Sequence, residues 1–310
     1  MKRPAAYRAL LRSGELARRA ALARQHLHAC ELCGRRCGAD RLESSLSGSC
    51  RTGARAVVAS FGAHHGEEEP IRGSRGSGAV FFSWCNLACD YCQNFELSRL
   101  GEGREATPMA LSAIFLALQD EGCHNLNLVS PTHVLPQLLE ALHLASGAGL
   151  SLPIVWNTGG YDSPEALELL DGVVDVYMPD MKYGDAATAE RLSGIPDYPA
   201  VNRAAVKEMH RQVGDLLLDE EGVAVRGLLV RHLVLPGGLA GSESVFRFLA
   251  EEVSRDTWLN VMGQYHPAFR AHLHPPLDRR PTPEELAEAH ALAARYGLTR
   301  PDGTRRAAAR

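Results

Sequence analysis

From Ala79 onward, short β-rich runs alternate with longer helical patterns, and this rhythm restricts the fold more than any other feature of the 310-residue chain. The runs are "AVFFSW" (79–84), "HNLNLVS" (124–130), "LPIVWN" (152–157), "VVDVYMP" (173–179), "LLVRHLVL" (228–235) and "WLNVMG" (258–263). Two of the intervening helices announce their own ends. "TPMALSAIFLALQDEG" (107–122) carries Thr107 as N-cap, Pro108 at the first helical position and Gly122 at the stop, and "SPEALELLDG" (163–172) repeats the logic. Strands separated by helices predict an α/β fold with a parallel sheet, here a partial TIM-type (β/α)6 barrel. Right-handed crossovers then put every strand's C-terminal end on one face, where sites gather in such folds.

Ahead of the barrel, residues 6–28 read as helix and residues 30–50 form a Cys-rich segment full of Gly and Ser. This divides the chain into a small helical, Cys-rich appendage (1–64), a core (65–300) and a frayed tail (301–310). A hydrophobic content of 45% suffices for one large core. The formal net charge of −4 gives no electrostatic case for nucleic acid or an anionic membrane, and the basic residues Lys2, Arg3, Arg8, Arg12, Arg18, Arg19 and Arg24 read as a solvated helix face. There is no run of 18 apolar residues and no apolar leader after the N-terminal basic residues, so a cytoplasmic location is expected. Thiols stay reduced there, and the eight cysteines read as metal ligands or catalysts rather than disulfides.

Cys85, Cys89 and Cys92, spaced C-x3-C-x2-C, follow the first strand directly. Thiolates at this spacing suit tetrahedral zinc or an iron–sulfur cluster. The next candidate ligands, Cys123 and His124, lie some thirty residues on. Cys30, Cys33, Cys37 and Cys50 make a second group with four ligands and no open position, which suits structural zinc or an auxiliary cluster. Cys123 reads as a small buried hydrophobe.

The loop "CNLACDYCQN", with Tyr91 just before its last cysteine, resembles the radical S-adenosylmethionine (SAM) superfamily, and within it the branch of pyruvate formate-lyase activating enzyme and uncharacterised relatives with an N-terminal Cys-rich segment. The likeness extends to "NLNLVSPTH", "VWNTGGYD", "VVDVYMPDMKY", "VRHLVLPGG" and "NVMGQYHP". It implies an oxidoreductase-type enzyme with a [4Fe-4S] cluster on Cys85, Cys89 and Cys92 whose fourth iron is chelated by SAM. Reductive cleavage of SAM would give a 5'-deoxyadenosyl radical that abstracts hydrogen from a substrate, a protein or peptide if the chain generates a glycyl radical. An electron donor such as flavodoxin or ferredoxin is implied with it. Two alternatives stay open, a small-molecule substrate and a non-catalytic protein that binds zinc at both cysteine groups.

The same resemblance nominates residues at the strand ends. Many members carry a Gly-Gly-Glu-like motif after the second strand to receive the SAM amino group; this chain departs from it with "VSPTH", where Ser130, Thr132 and His133 either take that role or cap the next helix. Asn157 in "NTGGYD" faces SAM or belongs to a turn, and Val234 and Leu235 flank the adenine. Asp180, Lys182 and His266 are substrate-side candidates, with an ordinary ion pair and a structural histidine as the plain alternatives. Arg231 and His232 are adjacent in one strand, so one of them faces the interior. The carboxylates of "HHGEEEP" (64–70) are either a solvated loop or part of a site.

Overall fold

The computed structural model describes residues 4–298; the expected tail, 301–310, lies outside the described residues, as do Lys2 and Arg3. Helices α1 (Tyr7–Arg12) and α2 (Glu15–Gln25) lead into β1 (Ala56–His64), the short α3 (Glu69–Arg72), β2 (Ser77–Phe82), α4 (Phe95–Ser98) and β3 (Arg104–Ala106). The regular alternation follows: α5 (Pro108–Asp120), β4 (Leu126–Val129), α6 (Leu135–Gly147), β5 (Ile154–Thr158), α7 (Pro164–Leu170) and β6 (Val176–Pro179). Helices α8 (Ala186–Ser193) and α9 (Tyr198–Val213), strands β7 (Leu217–Leu218) and β8 (Ala224–Leu233), α10 (Ser242–Phe248), β9 (Trp258–Met262) and α11 (Pro283–Arg295) complete the chain.

All six expected strands are present, as β2, β4, β5, β6, β8 and β9, and each pairs in parallel with the next. Spatial order follows chain order, as in a (β/α) barrel. Strand β1 adds antiparallel to β2, with β3 beyond it, and β7 pairs antiparallel with the start of β8. Among the described residues no pairing joins the β3 edge to β9, so the mixed α/β sheet is open. Strand β1, which the alternation signal does not include, extends this sheet from within residues 1–64.

Period-two burial explains why these runs are strands. Leu126, Leu128, Ile154, Trp156, Leu228 and Val230 face outward onto Leu111 and Phe115 of α5, Leu138 of α6 and Phe246 of α10. Val155, Val176, Met178 and Leu229 face inward, with Ile71 and Leu216. A strand buried on both faces reads as a near-continuous apolar run. Both predicted caps are made: Thr107 and Ser163 accept from the N–H groups of Ala110 and Ala166. The single helix expected over 6–28 is two, because Gly14 takes a left-handed φ of 77° between α1 and α2.

The N-terminal helices are tied to the sheet. Asp175, 3% exposed, accepts from the backbone N–H of Ala6 through Oδ1 and of Ile154 through Oδ2, both at 2.9 Å. Tyr7 donates to the Leu152 carbonyl at 3.1 Å, and α2 packs on α6. Replacing Asp175 with Ala strips a charged acceptor from one buried and one part-buried N–H group, each such bond contributing about 1.5–3 kcal/mol. Urea unfolding of Asp175→Ala is expected to show a loss of at least ~2 kcal/mol; a change below ~0.5 kcal/mol would mean the tether contributes nothing.

Candidate metal centre and the polar interior of the sheet

Beyond β2 the chain leaves the sheet through two residues with left-handed φ, Trp84 at 67° and Ala88 at 65°, which fold the cysteine loop back on itself. Polar hydrogens already point at its sulfurs. The Leu87 N–H lies 3.4 Å from Cys85 Sγ, and the Ser98 hydroxyl 3.1 Å from Cys92 Sγ. Burial pushes the Cys85 thiol up to about 11, repulsion from Cys89 and Cys92 adds to this, and the N–H groups of Leu87 and Ala88 oppose it. Cys92 is raised by burial and by Cys89, against the Ser98 hydroxyl, the Asn94 N–H and the positive charge of Lys182. The three thiols thus sense one another, and a cationic metal group would relieve the cost of ionising them.

Contacts from both ends of the chain clamp the loop. Arg35 donates to the carbonyls of Asn86 and Leu87 at 2.5 and 2.9 Å. On the other side Asp90 accepts at 2.9 Å from His274 through its carboxylate and from the Arg270 N–H through its carbonyl, while His266 pairs with Gln93 at 2.6 Å. His266 is therefore placed against the cysteine loop itself. Tyr91, 5% exposed, packs edge-on against Tyr183 and Tyr265 beneath it.

The second cysteine group gathers in the segment that supplies Arg35. Burial raises Cys33 to about 12, opposed by the Arg35 N–H, with further repulsion from Cys50, Cys30 and Cys37. Arg41, 1% exposed, reaches Cys30 Sγ at 3.6 Å and donates to the carbonyls of Thr52 and His133 at 2.7 and 2.6 Å. Cys123 is buried near Gly78, at the start of β2, the opposite end of the strand from the loop. Among the described residues no three His, Cys, Asp or Glu side chains are set to hold a single metal ion.

The strand ends divide the remaining candidates. Asn157, Asp180 and Lys182 come together around Arg231: its Nε meets Asp180 at 2.9 Å and its Nη2 meets Asn157 Oδ1 at 2.7 Å, while Lys182 Nζ meets Asp180 at 2.6 Å. Burial would neutralise Asp180, but Arg231 and Lys182 outweigh it and lower its pKa. Gly160, at φ 74°, lets the next turn close against the Asp180 carbonyl, where a Cβ would stand 2.4 Å away. Thr132 and His133 are engaged elsewhere. Thr132 donates to buried Asp162 at 2.8 Å, and His133 Nε2 is 2.8 Å from the Ser83 carbonyl, with burial lowering its pKa to about 4. Ser130 adopts a left-handed φ of 58° where β4 ends, its N–H bonded to the Asn157 carbonyl. Val234 and Leu235 are buried just past β8, Leu235 among the tyrosines under the loop.

Of the adjacent pair, Arg231 faces in; His232 faces α10, 5.0 Å from the Phe246 ring. Sequence reasoning flagged the carboxylates of 67–69 without placing them. Pro70 and Ile71 bury α3, and this turns Glu67 and Glu68 into the concave side of the sheet. There Glu67 lies 3.8 Å from Arg231, and Glu68 accepts from Asn260 at 2.9 Å. Burial raises Glu67 to about 7, with Arg231 opposing and Glu68 adding to the rise.

No family model matches the chain. The uncharacterised protein MJ0674 of Methanocaldococcus jannaschii is 33% identical over 279 residues, covering 87% of this chain and 75% of that protein. Among solved structures, a radical SAM methyltransferase from Sphaerobacter thermophilus is similar with a TM-score of 0.46 and 16% identity, over 71% of this chain; the match spans 64% of the methyltransferase chain, less than two thirds of its length. Among the described residues no helix is long and apolar enough to cross a membrane.

Folded Glu67 holds its proton to about pH 7, against 4.5 for an ordinary glutamate. Its contribution to stability is therefore full below the lower value and is lost as pH rises through the upper one. Glu67→Gln, neutral throughout, escapes that loss. Its stability relative to wild type is expected to rise by on the order of 3 kcal/mol between pH 4.5 and 8. Urea midpoints across that range check this, and a difference independent of pH would show that Glu67 ionises as an exposed residue does.

Proposed function

We propose that this chain, which belongs to the family of the uncharacterised Methanocaldococcus jannaschii protein MJ0674, is a radical SAM enzyme with its cluster on Cys85, Cys89 and Cys92. The observation that carries this reading is the loop itself: three mutually sensitive thiols at the C-terminal edge of a parallel sheet, with polar hydrogens already directed at two of the sulfurs. That donor set fits a cluster that keeps one iron for a small-molecule ligand. When bound, the cluster and SAM would supply, on receipt of one electron from a donor, methionine and a 5'-deoxyadenosyl radical able to abstract hydrogen from a substrate.

The chain's own residues bind, orient and exclude water. Cys85, Cys89 and Cys92 are the ligands, and the tyrosine layer of Tyr91, Tyr183 and Tyr265 seals the loop from below. Lys182 and Asp180, next to the loop and fixed by Arg231, orient the charged end of SAM, with Asn157 and Ser130 beside them. Val234 and Leu235 offer the adenine an apolar surface. The exposed Arg51 and Arg270 lie over Trp84 and Phe269 beside the loop and suit an acidic one-electron donor of the flavodoxin or ferredoxin type. The N-terminal cysteines serve as a closed site for zinc or a second cluster. On this reading the substrate is a protein or peptide, as in the activating-enzyme branch.

Anaerobically reconstituted protein with dithionite and SAM is expected to release 5'-deoxyadenosine, and Cys89→Ala to release none. Metal analysis of the same preparations is expected to show that Cys89→Ala loses iron and keeps the metal of the N-terminal group, while Cys33→Ala does the reverse. Zinc at both sites without iron, and no nucleoside release, would establish the zinc-binding alternative.

A further inference from the structure

On the concave side of the sheet, Glu67, Glu68 and Asn127 continue the polar layer of Asp180 and Arg231 and have no part in the function proposed above. Asn127 on β4 pairs with Val155, whose side chain belongs to the inward-facing group, so Asn127 faces inward too. It is 0% exposed; its Oδ1 has no hydrogen-bond partner, and its Nδ2 is near enough to Glu67 to favour that carboxylate's charge. Glu68 Oε2 is buried and unpartnered as well. Leaving such a group unpaired costs about 1–3 kcal/mol. Two unpartnered acceptors, Asn127 Oδ1 and Glu68 Oε2, thus belong to residues that both lie beside Glu67.

The charges there balance only while Glu67 keeps its proton; once it ionises, three carboxylates face two cations. Glu67, Glu68 and Asp180 face Arg231 and Lys182, and Lys182 is bound to Asp180. Arg231 directs Nε to Asp180 and Nη2 to Asn157, and meets Glu67 only at 3.8 Å. Asp180, Arg231 and Lys182 keep side-chain exposures of 15%, 17% and 22%, so solvent reaches the layer from the cysteine-loop side.

We propose that Glu67, Glu68 and Asn127 form a subsite for an α-aminoacyl group, a primary ammonium with a neighbouring carbonyl. A primary ammonium brings three donors and one positive charge, which the two glutamates and Asn127 Oδ1 receive. Asn127 Nδ2 then donates to the carbonyl oxygen. A free amino acid's own carboxylate would meet the two glutamates with the same sign, so an amide or a peptide N-terminus fits better. Taken with the function proposed above, on which the word substrate rests, this names the group by which the substrate is held.

Calorimetric titration of the reconstituted full chain with glycinamide, N-acetylglycinamide and n-propylammonium, without SAM or reductant, tests the assignment. Glycinamide is expected to bind at least tenfold more tightly than N-acetylglycinamide, and Glu67→Gln and Glu68→Gln to abolish that preference. Asn127→Leu is expected to remove the advantage of glycinamide over n-propylammonium. Equal affinities in wild type, or no binding of glycinamide, would overturn the subsite whatever the variants do. Nucleoside release is scored separately on wild type: probe discrimination without release leaves the subsite standing and removes the radical SAM reading, and release without discrimination does the opposite.

Discussion

The guanidinium of Arg231 is the interaction on which the interior of the sheet depends. It stands on β8 and bonds Asp180 at the end of β6 and Asn157 on β5, and pairs with Glu67 from the segment before β2. Burial works against its charge, and the attraction of Asp180, Glu68 and Glu67 outweighs it. Buried ions are costly to desolvate by several kcal/mol each, and a buried pair is tolerated only where its partners are well placed. Removing Asp180 or Arg231 therefore leaves a charge uncompensated rather than one bond missing. The strand alternation that turns Arg231 inward turns its neighbour His232 outward, where it bonds the Met181 carbonyl at 2.7 Å and Ser242 at 2.9 Å.

Support for the cysteine loop comes from segments far apart in sequence. Arg35 holds it through the carbonyls of Asn86 and Leu87, and Asp90 is held from the other side by residues 270 and 274. The N-terminal segment is itself pinned: Cys33 bridges to Asp162, the Gly34 N–H reaches the Tyr161 carbonyl, and Arg41 reaches the His133 carbonyl. Whatever orders residues 30–50 therefore positions Arg35, and through it the loop. The two cysteine groups are mechanically one assembly.

Much of this was legible because the information is local. Helix caps lie within three residues of the N–H groups they serve, and strand burial repeats every second residue, so Thr107, Ser163 and the six parallel strands can be read in order. Asp180, Lys182 and Asn157 were also within reach as polar residues at strand ends. The antiparallel strand β1 was not, because nothing in "AVVASFGAH" says that it pairs with β2. Nor were the partners of Thr132 and the inward turn of Glu67: Asp162 is 30 residues from the first, and Arg231 is well over a hundred from the second. Contacts of that range are set by topology, which periodicity does not encode.

The surroundings of the two cysteine groups argue for different tasks. Around Cys30–Cys50 the nearby cation, Arg41, is spent on the Thr52 and His133 carbonyls and almost wholly enclosed, so its geometry ties backbone together. Around Cys85–Cys92 the nearby cation is Lys182, partly exposed, which stabilises the charged form of Cys92 and is itself stabilised by Asp180 and Cys89. Lys182 joins the thiols to the charged layer of Asp180 and Arg231, and that layer leads on to Glu67 and Glu68. A group whose arginine is spent on backbone carbonyls suits a fixed support, although Cys37 itself is exposed. A group whose cation opens onto a partly exposed row of charges suits the ligand-exchanging centre proposed above, because that row could receive a charged molecule beside the thiols and orient it without rearranging the loop.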